Sequence, residues 1–280
     1  MIKSNFHTHT NYCDGSDEAE AYVEEAIKLG FDSLGFSGHA PFPKPNNFAI
    51  KENNLLNYCK KIDLLKEKYH QEINIFKALE ADFVPGITES FESLSKKCNL
   101  DYIIGSVHLV INPENKKLWF IDGPKMEIYD KGLEIVFNNN IRQAVKAYYH
   151  QINRMIETQK PDVIGHLDKI KMHNKNRFFS EDEKWYQNLV TETLNLIKEK
   201  NYILEVNTRG IYKKRCDSLF PGTKILKQIH LLKIPIIVSS DAHKPSELTL
   251  GFDQATVTLK NIGFKNLMIF SSHGWEEIGL

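Results

Sequence analysis

The sequence predicts an α/β protein whose parallel strands close into a barrel of the (β/α) type. Short apolar runs alternate with segments of helical spacing along the 280 residues, an alternation typical of a parallel sheet. Most of these runs end in a histidine or a carboxylate, and chemistry collects at the C-terminal strand ends of a barrel. An open, doubly wound sheet is the alternative, although it would bring these strand ends together less well.

The individual elements follow in a regular order. Ser16 offers a helix N-cap after the first run, with two acidic residues in the favourable first turn. Pro221 suits the first turn of a later helix. The first predicted strand ends at residues 6–7. Six further strands are predicted over 31–37, 73–79, 101–107, 162–165, 202–206 and 234–239. The predicted helices lie at 16–30, 55–69, 141–156, 185–197 and 221–229, and a last helix and an apolar run over 267–270 follow.

One stretch breaks this alternation, between His108 and about Asn138. Pro113, Gly123 and Pro124 make it irregular. Because the stretch follows a strand end, we expect a long loop on the active face that acts as a lid or contacts a substrate. A surface excursion without such a role is the alternative.

Composition narrows the possible functions. Apolar residues make up 41% of the chain and charged residues 26%, which allows a sizeable core. The 36 basic and 36 acidic residues cancel, so we predict no nucleic-acid partner. No apolar run has the length of a membrane span, the N-terminus shows no signal peptide, and the four cysteines form no CxxC pair. We expect a reduced, cytoplasmic protein without a membrane partner, and the number of subunits is not indicated.

The strand ends carry a candidate metal site. His7-Thr8-His9 places two imidazoles on one face of a strand, and Asp241-Ala242-His243 repeats this spacing with a carboxylate. The other strand ends carry His39, Glu80, His108 and His166. Imidazole and carboxylate are good ligands for zinc, iron and manganese. A lone buried histidine is more often a hydrogen-bonded part of the core, so the prediction depends on the whole group.

Taken in order, these segments resemble the motifs of the PHP (polymerase and histidinol phosphatase) family over nearly the whole chain. They are His7-Thr8-His9-Thr10 with Asp14-Gly15, Gly38-His39-Ala40-Pro41, Leu79-Glu80-Ala81-Asp82, Gly105-Ser106-Val107-His108, Gly165-His166-Leu167-Asp168 and Ser239-Ser240-Asp241-Ala242-His243. The chain length, Gly-Ser-Val-His and Glu205-Val206-Asn207-Thr208-Arg209 look most like monofunctional histidinol-phosphate phosphatases. The resemblance implies a distorted (β/α)7 TIM-like barrel of the PHP type, as a single domain over 1–280.

The resemblance further implies two or three divalent ions of zinc, manganese or iron. The implied ligands are His7, His9, Glu80 and Asp241 for a first ion; Glu80, His108 and His166 for a second; and Asp14, His39 and His243 for a third. A hydroxide that bridges two ions would attack phosphorus, because metal ions lower the pKa of water and stabilise charge on phosphate. Some members have a histidine near the position of Asp14, and a carboxylate there fits manganese or iron slightly better without excluding zinc.

Basic residues after two strands are candidates for binding phosphate. Arg209 follows a predicted strand, and its planar guanidinium suits bidentate phosphate binding. Lys169 and Lys171 follow His166 and offer a second cation, with solvated surface charges as the alternative. Arg209 could instead be a surface residue in a turn before Gly210.

An acidic and aromatic group lies in the irregular stretch. Asp122, with Trp119 and Phe120, is a candidate for contact with the ammonium and imidazole groups of histidinol phosphate. Phe42, after the second strand, is a similar candidate. Anchoring of the loop is the alternative role. Glu205 is expected to orient a neighbour or to satisfy polar groups of the barrel, and we do not assign it to a metal.

The predicted function is a metal-dependent phosphomonoesterase that hydrolyses L-histidinol phosphate in histidine biosynthesis, and it rests on the resemblance. Glu80, Asp241 and Arg209 are the predicted catalytic residues. The leaving alkoxide needs a proton donor, for which Asp241 and a metal-bound water are both candidates. The alternatives are a phosphodiesterase or nuclease of the same family, a phosphatase of another small phosphomonoester, and a metal-binding interaction domain without activity.

Overall fold

A parallel seven-stranded sheet forms the centre of the computed structural model, which describes residues 2–280. Its strands are β1 (Ser4–Asn5), β2 (Ser33–Phe36), β3 (Asn74–Asp82), β4 (Tyr102–Ser106), β7 (Val163–Ile164), β8 (Ile203–Asn207) and β9 (Ile236–Ser239), paired in that order. A parallel bridge between Thr8 and Ala242 joins the chain after β1 to the chain after β9. The sheet therefore curls into a nearly closed barrel, which confirms the predicted fold.

Helices cover the outside of the barrel. Over residues 2–280 they are α1 (Ala19–Lys28), α2 (Leu55–Lys68), α3 (Phe91–Cys98), α4 (Met126–Phe137), α5 (Ile141–Gln159), α6 (Lys184–Glu199), α7 (Arg209–Tyr212), α8 (Thr223–Leu232) and α9 (Phe252–Ile262). Helix α5 buries Val145, Tyr148, Ile152 and Met155, whose spacing of three and four residues places them on one face. Burial of such faces against the strands forms the main apolar core.

Two antiparallel hairpins complete the fold. They pair β5 (Leu109–Ile111) with β6 (Leu118–Phe120), and β10 (Asn266–Ser271) with β11 (Gly274–Gly279). The second hairpin covers one end of the barrel, where Trp275 packs with its ring centroid 5.5 Å from that of Phe6. This end is filled by apolar and aromatic side chains, so polar side chains of the interior gather at the C-terminal strand ends.

Two predicted helix starts were wrong by two or three residues. Helix α1 begins at Ala19, and its N-cap position is occupied by Glu18, not by Ser16. The backbone nitrogen of Ser16 instead donates to the carbonyl oxygen of His243 (2.8 Å), which ties this loop to the end of the last barrel strand. Pro221 precedes helix α8, which begins at Thr223.

The irregular stretch after His108 is not the long loop that we predicted. It holds the β5–β6 hairpin and helix α4.

Helix α3 was not predicted at all, although Ser90 caps it by accepting a hydrogen bond from the backbone nitrogen of Ser93 (3.2 Å). Within residues 2–280 no helix is both long and apolar enough to cross a membrane. The single domain over 1–280 stays a prediction.

Gly35 makes a testable contribution to the barrel interior. A Cβ atom at this position would lie 1.9 Å from Oη of Tyr102, whose hydroxyl donates to the carbonyl oxygen of Phe6 (2.6 Å). We expect Gly35→Ala to destabilise the fold by roughly 1–3 kcal/mol through overpacking. Thermal unfolding monitored by circular dichroism would measure this as a lower Tm.

A matched control is Gly279→Ala, where a Cβ atom would have no neighbour within 4 Å. Its Tm should equal that of the wild type. Adding Tyr102→Phe to Gly35→Ala removes the clashing oxygen and should recover part of the loss. An unchanged Tm in Gly35→Ala alone would contradict the tight packing described here.

Candidate metal centre

The predicted metal ligands converge at the C-terminal end of the barrel. They are His7 and His9 after β1, Asp14 before α1, His39 after β2, Glu80 in β3, His108 after β4, His166 after β7, and Asp241 and His243 after β9. All are buried except Asp14 and His243, whose side chains are 32% and 13% exposed. Because the C-terminal ends of parallel strands meet at one rim, residues far apart in sequence share one site.

Glu80 lies at the centre of the group, and its two carboxylate oxygens face different histidines. Oε1 lies 2.9 Å from Nε2 of His166 and 3.5 Å from Nε2 of His108. Oε2 lies 3.1 Å from Nδ1 of His39 and 3.2 Å from Nε2 of His7. A carboxylate with ligand atoms on both sides is suited to bridge two cations.

Three overlapping sets of side chains are close enough to hold a cation. In each set, one ligand atom per residue lies within 4.8 Å of the others. The sets are His9, Asp14, His39 and His243; His7, His9 and Asp241; and His39, Glu80 and His108. The three ligands implied for a third ion, Asp14, His39 and His243, thus lie in one set, which also contains His9. His166, implied for the second ion, contacts Glu80. The division of ligands among individual ions stays a prediction.

Unpaired buried nitrogens beside carboxylates fit a bound cation. Within the described part of the chain, Nε2 of His7 and Nε2 of His9 are buried without a hydrogen-bond partner. Nε2 of His9 lies 3.3 Å from Oδ1 of Asp241. Burial alone would raise the pKa of Asp241, but Arg209 and His7 hold that pKa well below its usual value. An ionised carboxylate next to free imidazole nitrogens is a donor set that suits zinc, manganese or iron.

The histidines differ in their affinity for protons. Burial and the neighbouring histidines lower the pKa of His9 to about 3, so His9 is a neutral ligand at neutral pH. Burial would also lower the pKa of His108, but the carboxylates of Asp82 and Glu80 raise it to about 10. A cation bound at Nε2 of His108 would take the place of a proton there.

A cavity of about 350 Å³ opens onto this cluster. Its walls combine metal-ligating side chains with Arg209, Asp122 and an aromatic pair. The pair is formed by Phe48 and Phe120, whose rings stack with centroids 5.7 Å apart and planes 10° from parallel. The cavity therefore joins a polar floor to a flat apolar wall, a combination typical of small-molecule sites.

Arg209 follows strand β8 directly and lines the cavity. Its Nη1 donates to the carbonyl oxygen of Asp241 (2.6 Å) and to Oη of Tyr212 (3.3 Å). Among residues 2–280, Nε and Nη2 of Arg209 have no hydrogen-bond partner. Hydrogen bonds within the protein thus fix one nitrogen of the guanidinium and leave the other two without a partner.

The two predicted lysines have different surroundings. Nζ of Lys169 lies 3.2 Å from Oδ1 of Asp122 and 3.9 Å from Oδ2 of Asp241, beside the metal cluster. Nζ of Lys171 lies 2.7 Å from Oδ2 of Asp168, and the structure does not bring Lys171 to the cavity. Both lysines are buried, so neither is the solvated surface charge that we considered as the alternative.

Of the aromatic residues predicted to contact substrate, only some line the cavity. Phe120 and Asp122 line the cavity, and their contact with substrate stays a prediction. Trp119 points to the other face of β6, where it is fully buried and its Nε1 donates to the carbonyl oxygen of Tyr129 (2.9 Å). Phe42 lies outside the cavity, against Phe48.

Among the residues that line the cavity, sequence reasoning missed one aromatic and two basic side chains: Phe48, Arg215 and Lys244. Lys244 directly follows the ligand His243, and this adjacency was the available signal. Phe48 and Arg215 lie in irregular segments, where no periodicity predicts the direction of a side chain.

Comparisons with known proteins agree on one family. A family model described as PHP domain matches residues 5–209. The histidinol-phosphatase of Bacillus subtilis is 26% identical over 267 residues, which cover 90% of this chain and 98% of that protein. A crystal structure from Listeria monocytogenes, described as a candidate histidinol phosphatase, superposes with a TM-score of 0.77 at 26% identity and covers 90% of this chain and 99% of that chain.

A more distant structure supports the fold. The histidinol phosphate phosphatase of Lactococcus lactis, solved with zinc, L-histidinol and phosphate, superposes with a TM-score of 0.70 at 20% identity. It covers 99% of this chain, and this chain covers all of it (100%). The barrel described above is therefore shared along its full length.

The position of Glu80 predicts that its substitution affects more than one ion. In Glu80→Gln, the neutral amide has one acceptor oxygen and cannot bridge two cations as a carboxylate does. We expect the variant to lose most of at least two bound ions when elemental analysis follows equilibration with Zn²⁺ or Mn²⁺ and removal of free metal. Glu52→Gln, at a surface carboxylate paired with Lys97, is the matched control and should retain wild-type content. Wild-type metal content in Glu80→Gln would contradict the bridging role.

Proposed function

Because the chain belongs to the PHP domain family, we propose that it hydrolyses L-histidinol phosphate to L-histidinol and phosphate as a metal-dependent phosphomonoesterase. The observation that carries the proposal is the convergence of the predicted ligands around Glu80, which lines the same cavity as Arg209. Relatives named histidinol-phosphatase match nearly the full chain, which supports this substrate.

We propose that two or three divalent ions occupy the cluster. The ligands are those predicted from the sequence, with Glu80 between the two histidine sets that its oxygens face. Such ions, when bound, supply a nucleophile at neutral pH and stabilise the charge that develops on the phosphoryl oxygens. Zinc is supported by the Lactococcus lactis structure, which was solved with it. The exposed Asp14 adds a carboxylate that manganese and iron also accept.

The phosphate group is assigned to the basic wall of the cavity. In this proposal Nε and Nη2 of Arg209 bind it, while Nη1 donates to the carbonyl oxygen of Asp241. Arg215 and Lys244 line the same cavity and add positive charge near its mouth. These groups attract a phosphate dianion more strongly than a diester, which has one negative charge less.

The alcohol part of the substrate is assigned to Asp122 and the Phe48–Phe120 pair. Lys169 and His108 hold the pKa of the Asp122 carboxyl below its usual range, although burial alone would raise it. An ionised carboxylate attracts the ammonium group of histidinol phosphate. The flat face of the aromatic pair suits packing against an imidazole ring.

A panel of substrates tests the proposed function. The metal-loaded chain should cleave histidinol phosphate with a kcat/KM that exceeds those for nucleic-acid diesters by orders of magnitude. Glycerol phosphate, a monoester without ammonium or ring, should be cleaved less well than histidinol phosphate. Comparable values for monoester and diester would support the phosphodiesterase alternative instead, and no hydrolysis of any ester would support the interaction domain.

Arg209 provides the residue-level test of phosphate binding. Charge-assisted hydrogen bonds contribute roughly 1.5–3 kcal/mol each, so Arg209→Ala should lower kcat/KM at least about tenfold. Arg209→Lys should recover only part of this loss, because lysine lacks the planar pair of donors.

The matched control is Tyr212→Phe. Oη of Tyr212 donates to the carbonyl oxygen of Ser240 (2.9 Å) and accepts from Nη1 of Arg209 (3.3 Å), so this variant removes one support of Arg209 and of the segment that carries Asp241. It keeps the guanidinium and should retain most of the activity. Metal content of each variant should be measured alongside. Wild-type kinetics in Arg209→Ala would exclude Arg209 from phosphate binding and shift attention to Lys169.

A further inference from the structure

We infer that Glu205 and Asp82, which are outside the predicted ligand set, are positioning residues that orient two ligand histidines for metal on opposite sides of Glu80. The inference rests on the metal binding that the proposed function requires. It concerns metal affinity, so it can be tested without any substrate.

Glu205 holds the ring of His7. Oε1 of Glu205 lies 2.6 Å from Nδ1 of His7, and both side chains are fully buried. A carboxylate oxygen accepts hydrogen bonds, so at this distance Nδ1 of His7 is the donor and carries a proton. A proton fixed on Nδ1 leaves Nε2, the nitrogen that faces Glu80, to bind a cation.

Glu205 is itself held in place by several donors. Its Oε2 accepts hydrogen bonds from the backbone nitrogen of His166 (2.7 Å) and from Nδ2 of Asn207 (3.2 Å). The hydroxyl of Ser239 donates to Oε1. A carboxylate with this many partners has one orientation, and it transmits that orientation to His7.

Asp82 has the same relation to His108. Oδ2 of Asp82 lies 3.2 Å from Nδ1 of His108, and Oδ1 accepts a hydrogen bond from the backbone nitrogen of His108 (2.7 Å). Nε2 of His108 then faces Oε1 of Glu80, the oxygen opposite to the one that His7 faces. The two carboxylate–histidine pairs therefore serve different sides of the bridging carboxylate.

The carboxylates near the other ligand histidines, those of Asp14, Glu80 and Asp241, are themselves predicted ligands. Within residues 2–280, Nδ1 of His166 has no hydrogen-bond partner, and Nδ1 of His9 lies 3.6 Å from Sγ of Cys13. His243 is held through Nδ1 by a backbone carbonyl, that of Asp241 (3.0 Å). His39 faces Asp14, which is a predicted ligand itself. Removal of Glu205 or Asp82 should accordingly affect one side of the cluster each.

The test measures Zn²⁺ affinity of the full chain by competition with a chromophoric chelator. Glu205→Gln and Asp82→Asn should each weaken binding of one ion by roughly 10- to 100-fold and leave the affinity of the remaining ions near wild type. Asp168→Asn is the matched control, because Asp168 is equally buried and its partners are Lys171 and the backbone nitrogen of Gly222. The control should bind Zn²⁺ as the wild type does.

Double variants assign each carboxylate to its histidine. The affinity loss of Glu205→Gln should largely disappear when His7→Ala is already present, and should persist when His108→Ala is present. Asp82→Asn should show the opposite dependence. This cycle also separates the ring contact of Glu205 from its contact with the backbone of His166. Full additivity of Glu205→Gln with His7→Ala would overturn the inference for that pair, as would wild-type Zn²⁺ affinity in the single variant.

Circular dichroism of each variant checks folding. If Glu205→Gln does not fold, Glu205→Asp keeps the charge and withdraws it from His7 by one methylene, and it should weaken the same ion. A wild type that binds none of Zn²⁺, Mn²⁺ and Fe²⁺ would overturn the inference together with the metal requirement of the proposed function. A wild type that binds Zn²⁺ normally but does not cleave histidinol phosphate would refute the proposed substrate and leave the positioning roles standing.

Discussion

The structure depends on keeping the buried carboxylate of Glu80 ionised at the centre of the barrel rim. Burial alone would raise its pKa, yet His7, His108 and His39 hold that pKa well below its usual value. Buried charge is costly unless it is paired, so each side of Glu80 requires a cationic or metal-ligating neighbour. This requirement explains why a histidine follows so many of the strands and why the ligand sets overlap instead of forming separate sites.

The interior of the barrel is divided into an apolar end and a polar end, and the polar end holds the neighbours that Glu80 requires. At the end covered by the β10–β11 hairpin, aromatic side chains such as Phe6 and Tyr102 fill the space, and Gly35 is the small residue that lets Tyr102 fit. Close packing at this end restricts movement of the strands, which keeps the predicted metal ligands at the opposite end in fixed positions relative to one another. The two ends of the barrel are thus energetically linked, since the packing at the end covered by the β10–β11 hairpin offsets the cost of placing several charges close together at the C-terminal strand ends.

The sequence predicted correctly those features of the barrel and its rim that follow from the periodic alternation of strands and helices. His39, His108 and His166 were predictable because each ends an apolar strand, and parallel strands end at one rim. The direction of Lys171 was not predictable, because it lies in a 3-10 turn that carries it away from Lys169 and towards Asp168. The sharing of ligands among the overlapping sets depends on distances between separate loops, which no spacing along the chain encodes.

The proposed phosphate ligand and the metal cluster are mechanically linked through one backbone segment. Asp241 has a left-handed backbone with φ of 54°, an uncommon conformation for a residue other than glycine that must be held by its surroundings. Arg209 holds it by donating to its carbonyl oxygen, and the pairing of Ala242 with the chain after β1 holds it from the other side. The residue proposed to bind phosphate therefore also fixes the backbone of a predicted metal ligand. In the proposed function, the position of the phosphate group and the position of the Asp241 carboxylate would thus depend on the same hydrogen bond.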